Sequence, residues 1–340
     1  MRLTDLSRVG EARRRARMIG VEAGLDDAEL ANLEIVVSEI VSNAVRYGGG
    51  GELAIRADPG GGARGLEVLC LDRGAGVANV AECLRDGYST GGSMGTGLGA
   101  AQRLSSAFDM LSVPGQGTAV LARLWSGEAP ARMHPSPEFG AVCLPVAGET
   151  VAGDGWAMHT SGMRTVVLVV DGLGHGPSAA EAATAAMRLF DAQARRTPVE
   201  ILEALHAGLR ATRGAAAAVA EIDTGSGRLR YAGLGNIAGR LLGEERPRDL
   251  VSQNGIVGHQ ARRVQAFDYP WTDDTTLVMH SDGIARHWKL DPYPGLGRRD
   301  PALIAGILYR DFARGRDDAT VVACRHRRAR PAAAIGSDPP

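Results

Sequence analysis

Glu39 and Asn43 stand four residues apart in a run with apolar residues at helical spacing, so one helix face presents both. A carboxylate there can polarise an attacking hydroxyl, and an amide oxygen one turn on can hold a magnesium ion bound to phosphates. Asp72-Arg-Gly-Ala-Gly76 follows an apolar, strand-like stretch. Asp72 can accept from an adenine amino group, while Gly74 and Gly76 let backbone approach a nucleotide. Gly95-Thr96-Gly97-Leu98-Gly99 opens a helix, where unpaired amides and the helix dipole favour phosphate. Thr118, at the start of a later strand, can complete an adenine pocket. Taken singly, these motifs also fit a polar helix face, a strand-to-turn junction and a glycine turn. In series they point to ATP with Mg2+.

A second set follows in the other half of the chain. Asp154, Asp171 with Gly172, Asp282 and Asp317 each lie at or near the end of a predicted strand, so they can converge at one edge of a sandwich. Oxygen ligands of this kind suit hard cations, Mg2+ or Mn2+. Two such ions about 4 Å apart activate water and stabilise a phosphoryl group under in-line attack. An Asp-Gly pair alone also fits a tight turn. One half thus has the residues to add phosphate, the other those to remove it.

A chain of 340 residues exceeds one ordinary core and predicts two domains of roughly 130 and 190 residues. With 44% hydrophobic residues and a net charge of −1, both halves can bury a core, and no overall field favours nucleic acid or an anionic membrane. Lys289 is the only lysine, so phosphate contacts in the first half fall to arginine, backbone amides or metal. Cys70, Cys83, Cys143 and Cys324 form no Cys-x-x-Cys pair and read as free thiols in a reducing compartment. The N-terminus has no apolar stretch of signal-peptide type, and the apolar run Val166 to Val170 is far short of a membrane span. A cytoplasmic protein is expected.

To position these residues, Asp26 or Asp27 should cap a helix with apolar positions Leu30, Leu33, Val36, Val37, Ile40 and Val41. Strands are predicted at 52–57 and 65–71, a helix near 96–108, and strands at 110–113 and 118–125, giving helices on one face of a mixed sheet. The proline-rich stretch 126–138 reads as a linker and the tail from 326 to 340 as disordered. Between them, strands are predicted at 140–146, 156–160, 165–170, 216–222, 229–232, 238–242, 276–280 and 319–324. Helices are predicted near 178–195, 198–212 and 301–313. The fold class is α+β.

In their order and separations, Glu39/Asn43, Asp72/Gly74/Gly76 and Gly95/Gly97/Gly99 resemble the successive boxes of the GHKL (HATPase) superfamily over about residues 10–125. Ser38-Glu39, Asn43, Arg46-Tyr47, Asp86-Gly-Tyr-Ser-Thr90 and Arg103-Leu104 with Phe108 look most like the RsbT-type anti-sigma-class serine/threonine kinases. That resemblance implies a Bergerat α/β sandwich over 1–125, Glu39 as base, Asn43 as ligand of the ATP-bound magnesium and Asp72 as adenine reader. A sensor histidine kinase shares the ATP fold, but the first histidine here is His134, beyond that domain.

The second half, 139–325, is similar to the SpoIIE branch of the metal-dependent PPM phosphatases, with its RsbX-like members. The matching stretches are Gly153-Asp154, Val170-Asp-Gly-Leu-Gly-His-Gly176, Gly233-Leu-Gly-Asn-Ile237, His280-Ser-Asp-Gly-Ile284 and Arg316-Asp-Asp-Ala-Thr320. The likeness implies an αββα sandwich. One metal would take Asp171, Asp282 and Asp317; the other would take Asp154, Asp171 and the Gly172 carbonyl. Ala157 stands where many SpoIIE-type members carry a further acid. Both resemblances imply STAS-domain antagonists of RsbS and RsbR type as partners, together with a downstream phosphatase or sigma-factor regulator. The expected function is a bifunctional switch in stress or sigma-factor partner switching. The alternative is a phosphatase whose first domain only binds nucleotide and sequesters a partner.

Overall fold

Asp26 accepts the backbone amide of Glu29, and the Glu29 carboxylate accepts the Asp26 amide, both at 2.8 Å. This capping box fixes the start of the long helix that carries Glu39 and Asn43. The computed structural model describes residues 1–57, 65–85, 97–127, 137–243, 246–261 and 263–326. Gly95, Thr96, the stretch Asp86–Thr90, most of the predicted linker and nearly all of the predicted tail lie outside the described residues.

The first elements are β1 (Arg2–Leu3), α1 (Ser7–Glu22), α2 (Asp27–Gly48), β2 (Gly51–Ala57), β3 (Gly65–Leu71), α3 (Val80–Cys83), α4 (Gly97–Leu104), β4 (Ala107–Val113) and β5 (Gly117–Trp125). Next come β6 (Glu138–Leu144), β7 (Asp154–Ser161), β8 (Arg164–Gly172), α5 (Pro177–Gln193), α6 (Pro198–Gly208), β9 (Ala215–Asp223), β10 (Arg228–Leu234) and β11 (Ala238–Leu242). Short strands β12 (Arg248–Asp249), β13 (Gly255–Ile256) and β14 (Gln260–Ala261) precede β15 (Ala266–Pro270) and β16 (Thr276–His280). A 3-10 turn (Leu296–Arg298), helix α7 (Pro301–Phe312) and β17 (Ala319–Arg325) complete the described elements.

These elements form two compact units. The first gathers Met1–Arg132, Gly140–Ala147 and Asp282–Ala323; the second gathers Met133–Phe139, Gly148–Ser281 and Cys324–Pro340. In the first, the strand order is β1-β2-β3-β5-β4 and every neighbouring pair is antiparallel. The mixed sheet predicted above is therefore corrected: β2–β3 and β4–β5 pair as chain neighbours, and β5 joins β3 in the same sense. Leu33, Val37, Ile40 and Val41 of α2 bury one face of this sheet against Leu66, Val68, Cys70 and Val120.

Helices on one face only is a second expectation to correct. All seven positions of β3 are buried, so both of its faces are covered. A Cβ added at Gly306 of α7 would stand 3.0 Å from the side chains of Leu69 and Leu71, so α7 lies on the face opposite α2. The helix predicted to run to residue 108 stops at Leu104. The Ser105 hydroxyl bonds back to the Ala101 carbonyl at 2.7 Å, and Phe108 pairs with Ala122 in the sheet.

The second unit contains the antiparallel sheet β15-β10-β9-β8-β7. Phe190, Ile201, Leu202 and Leu205 of α5 and α6 pack on Val166, Leu168, Ala217 and Val219. Strand β11 pairs with β12 and β16. Among the described residues, no helix is long and apolar enough to cross a membrane.

Candidate nucleotide and metal sites

Helix α2 places Glu39 and Asn43 on one face, both half-buried. The Asn43 Nδ2 donates to the Glu39 carbonyl at 2.8 Å, which orients the amide and turns its Oδ1 away from the helix backbone. Gly97, the first residue of α4, lies beside Glu39: a Cβ there would stand 4.0 Å from Glu39 Oε2. A larger residue at 97 would crowd the space between the carboxylate and the amides that open α4. Leu98 and the buried Gly99 follow within that first turn.

Asp72 leaves β3 at the C-terminal end of α2. Its Oδ1 accepts the amides of Gly74 at 2.9 Å and Thr118 at 3.1 Å, and its own amide donates to the Thr118 carbonyl at 2.9 Å. Both side-chain bonds fall on Oδ1, so Oδ2 is the oxygen suited to an adenine amino group. Burial raises the Asp72 carboxyl above the usual aspartate range, opposed by the Gly74 and Thr118 amides and by the Arg310 charge. The Thr118 hydroxyl lies 2.8 Å from that of Ser112, which also accepts the Val77 amide at 2.8 Å.

Glycine is required around Asp72 by close approach. A Cβ at Gly48 would stand 2.5 Å from the Asp72 Cβ, and one at Gly74 would stand 2.5 Å from the Gly48 Cα. Gly76, with φ +65°, would drive a Cβ into the Val113 carbonyl. Gly48, Ser112 and Gly117 escaped the sequence reading.

The acidic residues of the second set fall into two groups, one in each unit. In the second unit, Asp154 at the start of β7 sits directly opposite Asp171 near the end of β8. Asp154 is 6% exposed and accepts from the Ser281 hydroxyl at 2.6 Å. Asp171 and Gly172 pair with Ala216 and Ala215 of β9, so this Asp-Gly is strand rather than turn, and the Gly172 amide bonds to the Gly153 carbonyl at 3.0 Å. In the first unit, Asp282 follows β16 and Asp317 precedes β17. Gly283 packs so closely on Asp318 that a Cβ would overlap its carbonyl oxygen. Asp317 Oδ1 accepts the Asp318 amide at 3.0 Å, and Asp318 Oδ1 holds the Val146 amide at 2.7 Å.

Facing carboxylates on adjacent strands repel unless a cation or proton intervenes, so Asp154 with Asp171 fits a hard divalent ion. Among the described residues no three His, Cys, Asp or Glu side chains stand grouped as a metal-holding cluster. His175 Nδ1 pairs with Glu149 Oε1 at 2.8 Å on the exposed rim beyond Gly172. Ser281 was missed as a site residue; its place beside Asp282 in the motif was the available signal.

Comparison with known proteins covers both halves. The model of the histidine kinase-like ATPase domain matches residues 3–124, and that of stage II sporulation protein E (SpoIIE) matches residues 161–327. The serine/threonine-protein kinase RsbT of Bacillus subtilis is 32% identical over 114 residues, 34% of this chain and 86% of RsbT. Among solved structures, one comes from the bacterial stressosome, described as a modular system adapted to control secondary messenger signaling. It matches at TM-score 0.53 and 27% identity, covering 56% of this chain and 99% of its own. The RsbU and RsbW domains of a Mycobacterium tuberculosis protein match at TM-score 0.50 and 23% identity, covering 58% and 62%. The polypeptide is thus a fusion of a kinase-type ATPase domain with a PPM-type phosphatase domain, an α+β arrangement throughout.

Proposed function

We propose a function from one premise: the chain belongs to the RsbT family of serine/threonine-protein kinases, and a SpoIIE-type phosphatase domain continues the same polypeptide. In this reading residues 1–125 transfer phosphate from ATP to serine or threonine on STAS-domain antagonists of RsbS and RsbR type. Residues 139–325, beyond a linker at 126–138 and before a tail at 326–340, remove it. The protein works in the cytoplasm, where a downstream phosphatase or sigma-factor regulator reads the result.

Glu39 accepts the proton of the attacking hydroxyl, and Asn43 holds the magnesium that accompanies ATP. Asp72 and Thr118 take the adenine, with Gly74 and Gly76 admitting the ring. The amides from Gly95 through Thr96, Gly97, Leu98 and Gly99 cradle the phosphates. The observation that carries this reading is the approach of Glu39 to Gly97, which supports a base beside a phosphate-binding helix start.

For removal, Asp154, Asp171, Asp282, Asp317 and the Gly172 carbonyl would hold two Mn2+ or Mg2+ ions. Such ions, when bound, activate water and neutralise phosphoryl charge. Ser281 keeps Asp154 oriented by its hydrogen bond, and the Gly172 amide, bonded to Gly153, fixes the strand end that presents the carbonyl.

Incubation with [γ-32P]ATP and candidate STAS proteins, followed by Mn2+, tests both halves in one tube. Label should appear on a Ser or Thr and then leave as phosphate. Absence of transfer, or partner control that survives Glu39→Ala unchanged, would leave the ATPase domain a non-catalytic adaptor.

A further inference from the structure

A segment from the phosphatase half of the chain is built into the first unit, and one buried cation on it reaches the adenine end of the nucleotide site. Arg310 on α7 is 5% exposed. Its Nη1 donates to the Asp72 carbonyl at 2.8 Å and to the Thr118 carbonyl at 3.4 Å. The Asp72 amide donates to the Thr118 carbonyl, and the Thr118 amide donates back to the Asp72 side chain. Asp311 fixes the rest of the guanidinium, taking Nε and Nη2 at 2.6 to 3.1 Å. A planar fork spread over two carbonyls and a carboxylate has one geometry, and a small displacement of either strand end must move it or break it.

The C-terminus of α7 is tied in turn to Asp282. The Ala285 amide donates to the Phe312 carbonyl at 2.9 Å, and the Arg314 amide to the Gly283 carbonyl at 2.8 Å. Ile284 and Ala313 close the bridge between these bonds. Gly283 rests on the Asp318 backbone, next to Asp317. Within the first unit, one continuous set of contacts therefore joins the adenine reader to two of the candidate metal-binding aspartates.

We propose that Arg310 is a positioning residue that couples nucleotide occupancy beside Asp72 to hydrolysis at the site containing Asp282 and Asp317. The inference rests on the function proposed above. Adenine drawn onto Asp72 shifts the Asp72 and Thr118 carbonyls, and Arg310 passes the shift along α7 to the Gly283–Arg314 contact. The binding part of such coupling is reciprocal, so a cation held at Asp282 would alter nucleotide affinity by the factor by which nucleotide alters cation affinity; the hydrolysis rate is not bound by that equality.

The test uses the full chain, Mn2+, p-nitrophenyl phosphate and a non-hydrolysable ATP analogue, so that no phosphate is transferred. The readout is each variant's rate with analogue divided by its own rate without. In the unaltered chain we expect a change of about fivefold, with altered hydrogen exchange at the Ala285 and Arg314 amides. Arg310→Gln and Arg310→Lys should bring the ratio to one and abolish the exchange response. Should the Gln variant fail to fold, the Lys variant decides, since it keeps the charge but not the fork. A ratio of one in an unaltered chain that binds analogue and hydrolyses substrate overturns the coupling. So does a full response that persists in a folded Arg310 variant. A chain that binds no analogue, or hydrolyses nothing, counts against the proposed function instead.

Discussion

Asp72 holds its place through two amides on one carboxylate oxygen while burial works against its charge. Its folded pKa lies above the unfolded one, so its contribution to stability is fully present below the unfolded value and is lost as pH rises through the folded one. Asp72→Asn retains an oxygen for both amides and removes the buried charge. The Tm of this variant relative to the parent should therefore be higher at pH 7.5 than at pH 4. The same change sets an amide donor against the adenine amino group, and affinity for an ATP analogue should fall about tenfold. Thermal scans at the two pH values and calorimetric titration check both; unchanged affinity would remove Asp72 from the adenine pocket. Glu39→Gln keeps shape but not basicity. Phosphoryl transfer to a STAS acceptor should drop on the order of a hundredfold or more, with analogue binding retained.

At the scale of elements, the end of α2 is set by contact with Asp72. Alanine gains about 1 kcal/mol over glycine inside a helix. At Gly48, however, a Cβ would stand 2.5 Å from the Asp72 side chain, and overpacking of that kind costs about 1–3 kcal/mol. Packing should win: Gly48→Ala lowers stability and weakens nucleotide binding together, as denaturant titration and analogue affinity would reveal. Removing the Asp26 cap by Asp26→Ala should cost about 1 kcal/mol with no specific effect on nucleotide. These two variants separate helix stability from site geometry.

At the scale of the molecule, the first compact unit is assembled from three pieces of chain, and α7 covers Leu69 and Leu71 from the side opposite α2. A fragment ending at residue 127 would expose that apolar face. It should melt below the full chain and bind a hydrophobic dye such as ANS; a fragment as stable as the whole would contradict this account of the face. Under the proposed function, one polypeptide carrying transfer and removal would fix their stoichiometry and raise local concentration at a shared substrate. Glu39→Gln and Asp171→Asn should therefore each silence one reaction and leave the other measurable in the labelled-phosphate assay.

Much of this was legible in the residues. The cap at Asp26 or Asp27, the Glu39–Asn43 face and the alternating strands before Asp72 follow from local patterns, which depend only on neighbours in the chain; the reciprocal Glu29 bond came from the structure. Helix α1 was not recognised, because arginines dominate it and its buried stripe is Ala12, Ala16 and Gly20, residues too small to produce an apolar signal. The second covered face of β3, the grip of Arg310 on the Asp72 carbonyl and the opposition of Asp154 to Asp171 join residues far apart in the chain. Sequence by itself supplied residue types, spacing and local elements, and through them the chemistry each half can attempt. Tertiary structure alone decided which strand ends meet and which helix closes which face, since those contacts are selected by packing and polar satisfaction across distances that no local pattern encodes.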